Sequence, residues 1–182
     1  SYGLEFNGKT TFNGGTLELS GGNNSGKLWG CVFQEGTFVL NTDVVVTGNT
    51  GTYAPIHFTD ATATINSSIT QTNSGGEPLY IGENSVVTLG KDALINVLSV
   101  HGAGKLIIDA KDVEAGEYTK VKCGASGFTG TLEVINNDRL EAKIGNGKIV
   151  LVAKPVAQIG ETTYATLAEA VAAAQNDEEL ME

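Results

Sequence analysis

Short runs of alternating apolar and polar residues recur along the first 150 or so positions. Gly15-Thr16-Leu17-Glu18-Leu19, Gly36-Thr37-Phe38-Val39-Leu40, Ala61-Thr62-Ala63-Thr64-Ile65, Ser85-Val86-Val87-Thr88-Leu89 and Gly104-Lys105-Leu106-Ile107-Ile108 share one form. Alternation with period two sends one side of a strand inward and the other toward solvent. No helical periodicity appears before residue 160. Measured from Thr16, Thr37, Thr62, Val86 and Lys105, the steps are 21, 25, 24 and 19 residues. Periods of about 20 to 50 residues mark solenoids and arrays.

Turn-forming clusters separate the runs: Ser20 to Gly26, Thr47 to Gly51, Asn73 to Gly76 and Gly82-Glu83-Asn84. Gly and Asn adopt positive φ at little cost and suit corners where a coil changes direction. A β-sandwich would instead join neighbouring strands by two-residue Asn-Gly or Asp-Gly turns. Only a few such turns occur, Asn7-Gly8 and Asn146-Gly147 among them, and similar segments return a full coil apart. The pattern predicts an all-β fold, a right-handed parallel β-helix with strands repeating on two or three faces. Asn66, Asn84 and Asn96 are candidates for amide ladders inside its turns.

From about residue 116 the strands become cleaner and more charged on their outward positions. A solenoid leaves an unpaired apolar last coil unless something covers it. Residues 116–153 are therefore expected to hold a C-terminal β cap, with antiparallel pairing across Asn146-Gly147. Coils and cap together make a first unit, 1–153. Ala153-Lys154-Pro155 marks a boundary, and 154–182 is expected to hold a linker, a short hairpin and the start of a following repeat unit. Thr166 and Glu169 form a capping box before a helix from about Leu167 to Asn176. Leu167, Ala170, Val171 and Ala174 give that helix one apolar stripe. At ten residues it needs a partner surface to be stable.

The string Ile159-Gly160-Glu161-Thr162-Thr163-Tyr164-Ala165-Thr166-Leu167-Ala168-Glu169-Ala170-Val171-Ala172-Ala173-Ala174 resembles a recurring unit of large surface proteins of gut Firmicutes. In that family a similar stretch opens a pectate-lyase-like β-helix module and its helix caps the module's N-terminal end. Phe128-Thr129-Gly130-Thr131-Leu132-Glu133-Val134 is similar to the closing part of such modules. The resemblance implies a bacterial chain that is secreted or attached to the cell surface. It departs after Asn176, where family members continue into a further strand. On this reading the chain is the last coils and cap of one module, followed by the beginning of the next.

Composition narrows the function. With 41% apolar residues and only 18% charged, disorder is disfavoured. A net charge of −10 and a single arginine, Arg139, argue against nucleic-acid partners and phosphate clamps. No apolar run is long enough to insert into a membrane. Cys31 and Cys123 could in principle pair, but an elongated fold would hold them apart, so free thiols are expected.

No cofactor or metal site and no catalytic residue is assigned. Asp109, Asp112, Glu114 and Glu117 form the densest acidic stretch, yet their spacing builds no calcium cage and reads as a solvated turn. His57 and His101 stand 44 residues apart, close to two coils, which could place them on one face. Trp29, Phe33, Tyr53 and Tyr80 lie in or beside Gly-rich loops, and aromatic rings serve as binding anchors. With His57 they form the candidate ligand-binding set, although Trp29 could equally plug the core. The leading expectation is a non-enzymatic surface module that adheres to a host or environmental macromolecule, such as a glycan, a mucin or a secreted immunoglobulin. The alternatives are a fragment of a polysaccharide-lyase-like enzyme and a stalk without a ligand.

Overall fold

The computed structural model describes residues 2–20, 29–47, 56–72 and 79–176. β1 (Tyr2–Ser20) and β2 (Trp29–Thr47) each run around three successive faces of a coil. Later coils break into separate strands: β3 (Ile56–Thr59), β4 (Thr62–Ile65) and β5 (Ser68–Gln71), then β6 (Leu79–Ile81), β7 (Val86–Leu89) and β8 (Leu94–Asn96). β9 (Ser99–Gly102), β10 (Lys105–Asp109), β11 (Gly116–Glu117), β12 (Gly124–Phe128) and β13 (Thr131–Ile135) follow. The chain is a parallel β-solenoid of about four turns, with one short helix at the C-terminal end of the described residues.

Three parallel ladders define the faces. The first joins the opening thirds of β1 and β2 to β3, β6, β9 and β12. The second joins their middle thirds to β4, β7, β10 and β13. The third joins their ends to β5 and β8, and Ile95 bridges onward to Val121. Thr37, Thr62, Val86 and Lys105 share one rung position on the second face, as their spacing predicts. Thr16 does not. The partner of Thr37 in the preceding coil is Lys9, whereas Thr16 pairs with Asp43 on the third face. The first step is thus 28 residues, and β1 has already turned a corner at Gly14 and Gly15, both at positive φ, before it reaches Thr16.

Inward positions stack into columns of like side chains. Phe6, Phe33 and Phe58 lie ring over ring, at 5.4 and 5.1 Å between centroids and 17° between planes in both pairs. Leu40, Ile65, Leu89 and Ile108 form a second column, and Val44, Ile69, Ile95 and Val121 a third. All of these but Phe6, which packs against them, are buried in one core cluster. Burial of such side chains contributes roughly 1.5–3 kcal/mol each, and the backbone ladders hold them in register.

The corner between the first and second faces is tight. A Cβ on Gly104 would stand 2.2 Å from the carbonyl oxygen of Gly82, and one on Gly130 would stand 1.8 Å from that of Gly104. Only glycine lets successive coils approach so closely there. At the far corner an amide ladder forms: Asn41 Nδ2 donates to Asn13 Oδ1, and Asn66 Nδ2 donates to Asn41 Oδ1, both at 2.9 Å. Of the three asparagines expected to ladder, only Asn66 does so. Asn84 Nδ2 instead donates to Asp60 Oδ1, and Asn96 sits beside Thr70 on the third face. The ladder is also exposed rather than internal, since the side chains that share one rung column point outward.

β14 (Leu140–Gly145) and β15 (Lys148–Ala153) pair antiparallel through a two-residue Asn146-Gly147 turn, both residues at positive φ. β11 joins β15 on the other side. This three-stranded sheet buries Leu140, Ile149 and Leu151, together with Tyr118, against the solenoid core. β12 and β13 lie within residues 116–153 but continue the parallel ladders rather than joining this sheet. β16 (Ala157–Ile159) and β17 (Thr162–Tyr164) form a hairpin against which α1 (Leu167–Asn176) packs. Thr166 Oγ1 accepts from the Glu169 amide at 3.2 Å, and Glu169 Oε2 accepts from the Thr166 amide at 3.1 Å. The apolar stripe is only partly used: Ala170 is buried, while Leu167 and Val171 remain 68% and 47% exposed.

Candidate functional site

The first face builds the candidate site. In β3, β6 and β9 the residues before and after one central position point inward: Ile56 and Phe58, Leu79 and Ile81, Val100 and Gly102. Period-two geometry therefore turns the central residues outward. They are His57, Tyr80 and His101, and the register pairs His57 with Tyr80 and Tyr80 with His101. The two histidines flagged by their spacing share one face, with a tyrosine between them.

The rings are arranged rather than merely adjacent. The His57 and Tyr80 centroids are 4.6 Å apart, with planes at 62°, an edge-to-face contact. The His101 ring extends over the next rung, where Gly127 leaves room for it: a Cβ there would come within 2.5 Å of Nδ1 and Cε1. At the other end, Val32 precedes His57 in the ladder and is buried although it points away from the core cluster. Burial lowers the pKa of His57 to about 4, so its ring is neutral at neutral pH.

On the earlier rungs of the same face, two residues beyond Glu5, Val32 and His57, stand Asn7, Gln34 and Thr59 in register, and only Thr59 shares a rung with the column. They bring amide and hydroxyl groups that both donate and accept hydrogen bonds. Neither lysine nor arginine occurs in the strand segments that make up this face, and Glu5 is its one acidic residue.

The other candidates fall elsewhere. Phe33 was expected at the surface, and that expectation is corrected. Its ring is 1% exposed, stacked between Phe6 and Phe58 and edge-on to Phe38, and offers nothing to a ligand. Its strand parity, one position removed from that of Val32, turns it inward. The Trp29 backbone opens β2 opposite Tyr2, but its side chain lies outside the described residues, as does all of Tyr53. His101 was noted for its spacing but left out of the binding set, and the structure places it in the column. The signal was available in the 44-residue separation.

The remaining chemistry is dispersed. Cys31 and Cys123 are free, buried thiols at different levels of the solenoid, and burial pushes Cys31 up to about 12. Asp109 ends β10 and its Oδ1 accepts from the Lys111 amide, while Asp112 occupies a turn at positive φ. Among the described residues no three His, Cys, Asp or Glu side chains converge as metal ligands. No described helix is long and apolar enough to cross a membrane. No protein-family model, curated protein or solved structure matches the chain.

Proposed function

We propose that this chain is a non-enzymatic binding module of a secreted or surface-attached bacterial protein. Its partner is a host or environmental macromolecule, either a glycan or a secreted glycoprotein. The observation that carries this reading is the outward column of His57, Tyr80 and His101 on a ladder of hydrogen-bonded rungs. Amphipathic rings held on a rigid scaffold bind at low ordering cost. The resemblance of residues 159–174 to units of surface proteins supports the extracellular setting.

The test immobilises the chain and measures binding of purified mucin and purified immunoglobulin. The comparison is a double variant, Tyr80→Ala with His101→Ala, whose fold is verified by circular dichroism. Binding by the parent chain and its loss in the variant would support the reading. Absence of binding by either would favour a stalk. Turnover of pectin or host glycans by the parent chain would favour an enzyme.

A further inference from the structure

We infer that β16, β17 and α1 form a strap that swings about Pro155 and closes onto the outer face of the cap sheet. In the closed arrangement Leu167 and Val171 cover Val150 and Val152. This device is independent of the binding-module reading.

The hinge is a single residue. The Lys154 amide donates to the Arg139 carbonyl at 2.8 Å and so belongs to the cap. The Val156 amide donates to the Tyr164 carbonyl at 2.8 Å and so belongs to the hairpin. Pro155 stands between them with no amide proton to give to either side, and its ring fixes φ near about −65°. The swing is therefore taken up at the ψ angles of Lys154 and Pro155. β16 pairs with β17 in a sheet of their own, separate from the cap strands β11, β14 and β15.

Apolar surface lies on both sides of that hinge. Ile149 and Leu151 are buried against the solenoid, so period-two geometry turns Val150 and Val152 to the opposite face of the sheet. Both are half-buried, and neither belongs to the core cluster or to the side chains packed on it. On the strap, Val156, Leu167 and Val171 are 63%, 68% and 47% exposed. Val150 and Val152 stand about 6.7 Å apart along their strand, and Leu167 and Val171 about 6 Å apart along their helix, so one pair fits over the other. Tyr164 is bonded to Val156, and Leu167 follows three residues later, within about 11 Å of it along the chain. The start of the helix is thereby tethered close to the hinge. Charge favours the same contact. From Pro155 onward the sequence holds six acidic residues and no lysine or arginine. Lys143, Lys148 and Lys154 outnumber Glu117 and Glu141 around the outer face of the cap. In a chain of net charge −10, that face attracts an acidic strap rather than repelling it.

The experiment is methyl NMR on the full chain, reading NOEs between the Val150 and Val152 methyls and those of Leu167 and Val171. NOEs joining the two pairs within one molecule are expected. The double variant Leu167→Ser with Val171→Ser changes two exposed positions and should keep the fold. In it those NOEs should vanish, the Val150 and Val152 methyl resonances should shift, and amide order parameters over residues 157–176 should fall. A second measurement uses Val152→Cys with Leu167→Cys under mild oxidation, with each single variant as a control. The native thiols Cys31 and Cys123 are buried. A disulfide within one chain is the expected product. A disulfide joining two chains would give the apolar stripe to a second copy and overturn the inference. So would the absence of NOEs between the pairs in the parent chain, or Val150 and Val152 resonances that stay unmoved in the serine variant.

Discussion

The imidazole of His101 occupies the space that a side chain on Gly127 would fill, with ring atoms 2.5 Å from the position of its Cβ. The glycine thus sets where the third ring of the column lies. In Gly127→Ala the ring has to swing aside, and as the free end of a side chain it can do so at modest cost. The expected result is displaced His101 imidazole resonances, unchanged His57 resonances and a stability change within about 1 kcal/mol. Unmoved His101 resonances in this variant would show that the ring does not depend on the gap.

Gly104 behaves differently because backbone, not side chain, stands in the way. Its Cβ would meet the carbonyl oxygens of Gly82 and Ser85 at 2.2 and 2.6 Å. Separating two coils disturbs every rung near the corner. Gly104→Ala should destabilise by about 3 kcal/mol, at the upper end of overpacking costs. Gly124→Ala, whose nearest neighbour stands 3.8 Å away, should stay within about 0.5 kcal/mol of the parent. Urea unfolding of the two variants distinguishes them, and equal midpoints would contradict the tight corner.

Phe33 belongs to the core, which gives two separable expectations. Phe33→Ala leaves a cavity between Phe6 and Phe58 and should cost about 3–5 kcal/mol. Phe33→Leu keeps much of the volume and should retain both fold and ligand binding. If the leucine variant folds but loses binding in direct proportion to ring loss, the assignment of Phe33 to the interior is wrong.

His57 makes the fold sensitive to mild acid. Its pKa is about 4 in the folded chain and near 6.5 when solvated, so between these values the unfolded chain binds more protons. The neutral ring's contribution is complete above about 6.5 and declines as pH falls toward 4. Because the ring is partly exposed, the loss is of order 1 kcal/mol rather than the full value of the shift. Comparing unfolding at pH 7 and pH 4.5 for the parent chain and His57→Gln isolates this contribution from that of the carboxylates. An identical loss in both proteins would refute it.

The solenoid was legible because alternation survives in every coil and because the recurring segments share composition. Position within the coil was less so. Thr16-Leu17-Glu18-Leu19 and Thr37-Phe38-Val39-Leu40 look alike, yet lie on different faces, since any face of a solenoid asks for the same in–out pattern. The capping box at Thr166 and Glu169 was readable because both partners are three residues apart. Phe33 was misread for want of parity: the neighbouring glycines suggest a loop, whereas the ladder to Phe58 places the ring inside. The complete column escaped notice because its steps are unequal, 23 residues from His57 to Tyr80 and 21 from Tyr80 to His101. No fixed period aligns such positions; hydrogen-bond register does.

The ladders also determine how the chain responds to pulling. Each rung of the solenoid is bonded chiefly to the rungs immediately before and after it, so force applied at the two ends meets one coil's bonds at a time. Extension should proceed as a succession of small ruptures, each releasing a length set by the residues in that coil, from 28 down to 19 on the second face.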